Sequence, residues 1–115
     1  MFIATAVVSV LLAIALAGSA RSKFTRDAMA RKITETVGWP ADRLWILGTL
    51  EAAAGVGLLV GLLWWPLGAA AATGTVLYFA GALVAHARAG DREWQPALAL
   101  GLLAVAALAL RLLSA

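Results

Sequence analysis

The sequence has no cysteine and a single histidine. Without cysteine, the chain has no internal disulfide bonds, thiolate metal sites or dithiol redox chemistry. One histidine cannot supply both axial ligands of a bis-histidine haem, and a metal site would need Glu51, Asp91 and Glu93 to converge, which nothing in their spacing indicates. We therefore expect no metal ion and no intrinsic cofactor.

Charge is also scarce, since charged residues make up 13% of the 115 residues and hydrophobic residues 63%. Soluble domains carry roughly 25% charged residues because they must solvate their surface. The mean hydropathy of +0.94 instead suits a chain whose solvent is the lipid bilayer. The length allows one domain, so residues 1–115 are predicted to form a single transmembrane domain.

Four apolar runs predict an all-α integral membrane four-helix bundle, with helices at about residues 2–20, 44–65, 67–87 and 96–113. The first run has a competing interpretation as a secretory signal peptide. A signal peptide needs a basic segment before an apolar stretch of roughly 7–15 residues. No basic residue precedes Phe2 and the run is longer, so a retained helix is favoured.

The segment 21–43 is polar and contains six of the nine basic residues. Within it, Met29, Ile33 and Val37 recur every four residues and therefore share one helical face. This pattern predicts a short amphipathic helix on the cytoplasmic membrane surface, ended by Gly38-Trp39-Pro40.

The distribution of basic residues predicts the topology. Arg88 and Arg92 lie in the loop between the last two helices, whereas the Trp64–Trp65 turn has no basic residue. The positive-inside rule places both basic loops in the cytoplasm and both termini outside, in the inner (plasma) membrane of a bacterial cell. The basic loops favour membrane lipids with anionic headgroups as partners, and not nucleic acid. Arg111 is expected to snorkel at the end of the last helix.

Glu51 is the one ionisable residue well inside a predicted span, seven residues beyond Leu44 and thus roughly 10 Å along the helix. A charge at the bilayer centre costs roughly 2.5–3.5 kcal/mol on insertion scales. We therefore predict that Glu51 faces the bundle interior and contacts His86 or Lys23, with the Ser19 hydroxyl or a bridging water as further partners.

Two interpretations of Glu51 stay open. In the first, Glu51 and His86 are the candidate catalytic or proton-exchanging pair, and Tyr78 and Lys23 complete a ligand-binding pocket, since Tyr78 lies eight residues before His86. In the second, a Lys23–Glu51 pair only holds helices together and His86 is an ordinary interfacial residue. The glycines Gly57 and Gly61 are explained by close helix packing alone.

Three segments resemble those of the DoxX-like family of small bacterial membrane proteins. The first helix ends in Gly18-Ser19-Ala20-Arg21-Ser22-Lys23-Phe24, with a longer spacing than the family's G-x-x-K close. The second contains Gly48-x-x-Glu51-x-x-x-Gly55-x-Gly57-Leu58-Leu59-x-Gly61, which is similar to the family's G-x-x-E-x-x-x-G-x-G-L-L-x-G segment. His86-x-Arg88-x-Gly90-Asp91 is similar to its short charged loop.

The resemblance implies a redox-associated, multi-pass four-helix bundle, since some members are named as the small subunit of a thiosulfate:quinone oxidoreductase. We accordingly expect an accessory subunit of a quinone- or sulfur-linked membrane complex, with quinone as its ligand and no enzyme activity as an isolated chain. One alternative is a binding or isomerase-like pocket for a small hydrophobic ligand or lipid centred on Glu51. Another is a purely structural scaffold that joins a complex, or a homo-oligomer, through Gly57 and Gly61.

Overall fold

The fold is a bundle of long α-helices. The computed structural model describes residues 2–90 and 94–115, with the backbone alone at Met29, Ile33, Thr36 and Ala41. The described part has no β-strand. Its elements are α1 (Phe2–Thr25), α2 (Ala28–Val37), a 3-10 turn (Ala41–Arg43), α3 (Leu44–Val60), α4 (Trp65–Ala89) and α5 (Gln95–Leu113).

Three of these helices, α1, α4 and α5, are long and apolar enough to cross a membrane. The fourth long helix, α3, is apolar but has 17 residues, about 26 Å of rise against a hydrocarbon core of about 30 Å. The long axis of the molecule is 41 Å, similar to a bilayer with its headgroups. The predicted all-α membrane bundle is confirmed, while the number of crossings stays a prediction.

The first helix is longer than predicted, because α1 continues past Ala20 to Thr25. Loss of hydropathy marks where a helix leaves the apolar region, but arginine, serine and lysine are good enough helix formers to continue it. Arg26 then adopts a positive φ of 52°, and Asp27 caps α2 by accepting a hydrogen bond from the Ala30 amide at 3.1 Å. The extension places Lys23 on a rigid helix.

The predicted short helix after α1 is present as α2, which contacts α4. It ends at Gly38, whose φ of 82° is the left-handed conformation that glycine adopts without strain. The side chains of Met29 and Ile33, on which the predicted apolar face depends, lie outside the described residues. The membrane-surface position of α2 therefore stays a prediction.

The turn between α3 and α4 comes earlier than predicted, since α3 ends at Val60 instead of residue 65. Gly61 lies against Gly68 so closely that a Cβ on Gly61 would overlap the Gly68 backbone. A Cβ on Gly57 would lie 2.9 Å from the Ala71 Cβ. Both glycines therefore serve packing between α3 and α4 of one chain, and Gly61 is buried there.

The four long helices pack in a ring in which α1 contacts α3 and α5, and α4 contacts α3 and α5. Neighbours run antiparallel: the start of α1 meets the end of α5, where the Thr5 hydroxyl donates to the Leu110 carbonyl at 3.0 Å. One end of the bundle, here called the basic end, carries α2 and the end of α4. The other, the turn end, carries the α3–α4 turn.

The core between the helices is made of small and aliphatic side chains, with one aromatic ring. Its buried members are Leu12, Leu16, Leu58, Ala72, Phe79, Ala97, Ala104 and Ala107. Large apolar side chains elsewhere are exposed, among them Leu63 at 91% and Ile3 at 80%. This arrangement suits lipid as the surrounding solvent, because helices there associate through close packing of small residues.

Candidate functional site

Glu51 is buried between α1, α3 and α4, with 1% of its surface exposed. Gly48 and Gly55 lie on the same face of α3, three residues before it and four after it, and both abut α1. A Cβ on Gly48 would lie 3.2 Å from the Ala20 carbonyl oxygen, and one on Gly55 would lie 3.6 Å from the Ala13 oxygen. The two glycines bring α1 close enough to cover the carboxylate.

Lys23 on α1 forms an ion pair with this carboxylate, its Nζ lying 2.6 Å from Glu51 Oε1. The same ammonium donates to Ser19 Oγ at 2.8 Å, one helical turn earlier on α1. Lys23 is itself 6% exposed, so both charges of the pair are removed from solvent. The predicted contact between Lys23 and Glu51 is confirmed.

Tyr78 on α4 is the second partner, and its hydroxyl donates to Glu51 Oε1 at 2.8 Å. Its ring packs edge-on against Phe79, with centroids 5.0 Å apart and an interplanar angle of 79°. Both donors therefore engage the same carboxylate oxygen. The other oxygen, Oε2, is buried without a hydrogen-bond partner among the described residues.

A groove of about 540 Å³ lies between α3 and α4, beside this cluster. Small and aliphatic residues form most of its wall, and the polar residues that line it are Glu51, Thr75 and Tyr78. Leu50 and Leu77 line it as well and are 53% and 67% exposed, so the groove opens on the apolar outer surface of the bundle. Its volume lies within the range of about 300–1,000 Å³ typical of small-molecule sites.

His86 was the alternative to Lys23 as the predicted partner of Glu51, and it is not among the described contacts of Glu51. Glu51 is held by Lys23 and Tyr78, whereas His86 lies two turns beyond Tyr78 on α4, about 12 Å along the axis. Eight residues also rotate the helix by about 80°, so His86 occupies a different face from Tyr78.

Metal ligands do not converge in the part of the chain that the structure describes, where no group of three His, Asp or Glu side chains could hold an ion. Asp91 and Glu93, which the sequence analysis considered with Glu51, lie outside the described residues. The arrangement around Glu51 can instead hold a neutral polar group at the end of an apolar groove.

A second buried charge, Arg111 near the end of α5, was predicted to snorkel outward but is 5% exposed. Its Nη1 donates to the Gly61 carbonyl at 3.3 Å and its Nη2 to the Ser114 carbonyl at 3.2 Å. Gly61 and Ser114 are the C-cap residues of α3 and α5. Backbone carbonyls at a helix C-terminus have no donor within the helix. The guanidinium carbon also lies 5.5 Å from the Phe2 ring centroid. The signal in the sequence was Gly68, because a Cβ there would lie 3.0 Å from Arg111 Cδ.

Comparison with protein families gives a match over most of the chain. The sequence model described as the DoxX-like family matches residues 7–109. This range includes α2 to α4 complete and most of α1 and α5, and it contains Lys23, Glu51 and Tyr78. Neither the curated proteins nor the solved structures include a significant match.

Proposed function

We propose that this multi-pass membrane protein, which belongs to the DoxX-like family, is an accessory subunit of a membrane-associated, quinone-linked redox complex. Its contribution is to hold a lipophilic quinone in the groove between α3 and α4. The observation that supports this proposal best is an apolar groove of about 540 Å³ that ends at a buried ion pair.

The groove suits a planar ring on an apolar tail. Gly57 and Gly74 line the groove and have no side chain to fill it. Leu50 and Leu77 at its rim are exposed on the outer surface of the bundle. A ligand dissolved in the bilayer would therefore enter sideways without crossing water. The ring oxygens would lie at the Glu51 and Tyr78 end, where the polar atoms of the lining are concentrated.

A bound quinone would supply two-electron redox chemistry, which needs an electron source outside this chain. The sequence has no cysteine and a single histidine, so we propose a partner protein in the same membrane. We also propose that the basic loops lie in the cytoplasm of a bacterial cell and contact anionic lipids.

The two alternatives are weakened by specific contacts. An isomerase-like pocket in which His86 tunes Glu51 is less well supported, because the described contacts of Glu51 are with Lys23 and Tyr78. A scaffold that docks partners through Gly57 and Gly61 is left with Gly57 alone, because Gly61 is buried against Gly68 of α4. A structural role for the Lys23–Glu51 pair is compatible with ligand binding.

The test of the groove is to fill it. A Cβ on Gly74 would meet no atom within 4 Å, and Gly74 lines the groove, so we expect Gly74→Leu to fold and to occupy ligand space. Gly18 on α1 also has open space for a Cβ but does not line the groove, which makes Gly18→Leu the matched control. Both variants and the original protein are purified in lipid nanodiscs.

Labelling with a photoreactive ubiquinone analogue, followed by mass spectrometry of peptides, gives the measurement. We expect labels on α3 and α4 that short-chain ubiquinone competes away. Gly74→Leu should reduce them by about tenfold, equivalent to about 1.4 kcal/mol of binding free energy, and Gly18→Leu should not. Equal labelling of the two variants would overturn the groove as the quinone site.

A further inference from the structure

The two oxygens of the Glu51 carboxylate differ in their surroundings. Oε1 accepts from Tyr78 at 2.8 Å and pairs with Lys23 at 2.6 Å, whereas Oε2 is buried and has no partner among the described residues. A buried carboxylate oxygen without a donor is unfavourable, because a charged acceptor loses its hydration and regains nothing. Glu51 lines the groove, and Oε2 is its carboxylate oxygen that still lacks a donor.

The groove also lacks a free side-chain donor in its described lining. The Tyr78 hydroxyl donates to Glu51 Oε1, and the Thr75 hydroxyl donates to the Ala71 carbonyl at 2.7 Å. The other lining residues are glycine, alanine and leucine. A ligand that enters the groove thus meets acceptors, among which the carboxylate of Glu51 is the charged one, and no available side-chain donor in the described lining.

We propose that the occupant of the groove donates a hydrogen bond to Glu51 Oε2, so that the site selects a neutral lipophilic hydroxyl compound. This inference rests on the proposed function and sharpens it: the reduced quinol, with its hydroxyl groups, binds in preference to the oxidised quinone, whose carbonyl oxygens only accept. A cationic ligand would be repelled by the ammonium of Lys23, and an anionic ligand by the carboxylate of Glu51, so binding of either is disfavoured. A membrane alcohol presents the same chemistry as a quinol.

The Glu51→Gln variant gives a directional test. Lys23 and Tyr78 both donate toward the Oε1 position, so the amide oxygen of glutamine must occupy that position. The amide nitrogen then takes the place of Oε2 and presents a donor where the carboxylate presented an acceptor. The ligand preference should therefore reverse from hydroxyl to carbonyl compounds.

The experiment uses the full chain in nanodiscs and three probes with one apolar body: para-hexylphenol, para-hexylanisole and para-hexylacetophenone. Displacement of the photoreactive quinone analogue is measured for each and corrected for the probe's partition into empty nanodiscs. We expect the phenol to bind about tenfold more tightly than the other two, as a hydrogen bond to a charged acceptor provides. In Glu51→Gln the acetophenone should become the tightest, whereas Glu35→Gln on exposed α2 should keep the original order.

Equal binding of the phenol and the anisole to the original protein would overturn the inference. An order unchanged in Glu51→Gln would also overturn it. The groove itself would still stand if Gly74→Leu abolished binding of all three probes, whereas failure of every probe and of the quinone analogue would remove the proposed function. If Glu51→Gln does not fold, the comparison of phenol with anisole on the original protein still decides.

Short-chain ubiquinol and decanol then distinguish the two classes of hydroxyl ligand. Binding of both supports a general alcohol site, and binding of ubiquinol alone supports a quinol site.

Discussion

The two ends of the bundle each bury one basic side chain, and they neutralise it in different ways. At the basic end, Lys23 faces a carboxylate at 2.6 Å. At the turn end, Arg111 faces backbone carbonyls at the ends of α3 and α5. The carbonyls carry only the partial negative charge of a helix C-terminus. The Lys23–Glu51 pair places an ionisable acceptor beside the groove. The Arg111 contacts close the turn end of the bundle, where no acidic side chain lies among the described residues.

The largest expected effect comes from breaking the ion pair. Lys23→Met leaves the Glu51 carboxylate buried without its counter-ion, and we expect it to lower the free energy of unfolding by about 3–5 kcal/mol. The measurement is unfolding in mixed detergent micelles with increasing SDS. Most of the loss should return in the double variant Lys23→Met/Glu51→Gln, which removes the uncompensated charge. Arg21→Met, an exposed position two residues earlier on α1, is the control, and an equal loss there would contradict the prediction.

Removing the other buried cation should have a smaller effect. Arg111→Met leaves two carbonyl groups without their donors but no opposite charge, so we expect a loss of about 1–3 kcal/mol in the same assay. Arg111→Lys should recover little of it, because an ammonium cannot reach Gly61 and Ser114 with the planar geometry of a guanidinium. If Arg111→Met lost as much free energy of unfolding as Lys23→Met, the prediction would be contradicted. Backbone carbonyls at helix ends would then stabilise a buried cation as fully as a carboxylate does.

The smallest expected effect concerns a single hydroxyl group. Tyr78→Phe removes the hydrogen bond to Glu51 Oε1 while Lys23 remains, so we expect a loss of about 1 kcal/mol. Thr75→Val on the same helix removes a bond to a backbone carbonyl and should cost less than about 0.5 kcal/mol, since that acceptor keeps its helical partner. Equal effects would indicate that the charge on Glu51 does not strengthen the Tyr78 bond.

The residues of the candidate site were predictable to different degrees. The interior position of Glu51 followed from the energetic cost of a carboxylate in lipid, and Lys23 followed as a nearby basic residue able to reach it. Tyr78 was predicted to line the same pocket but not to bond to Glu51. His86 was the alternative to Lys23 as the predicted partner, and its angle around α4 places it on a different face from Tyr78. The roles of all four in ligand binding stay predictions.

Helix ends show a similar division. The composition predicted that residues 21–43 leave the apolar region, but α1 ends only at Thr25, where Arg26 takes a left-handed φ of 52° and the Asp27 amide donates to the Ser22 carbonyl at 3.3 Å. Likewise α3 ends at Val60, earlier than the apolar run predicts, next to the close contact between Gly61 and Gly68. Hydropathy reports the solvent around a segment, whereas a helix ends where caps and close contacts replace its hydrogen bonds.

The sequence by itself determined the helical membrane bundle, its DoxX-like motifs and the burial of Glu51, because apolar run length and the cost of burying a charge are local properties. Only the tertiary structure decided that Lys23 and Tyr78 share one oxygen of Glu51, that the other oxygen lacks a partner, and that Arg111 turns inward. Those outcomes depend on the rotation of each helix about its own axis and on the approach that glycines permit. Both are set when several helices pack together, and neither is encoded in any single segment.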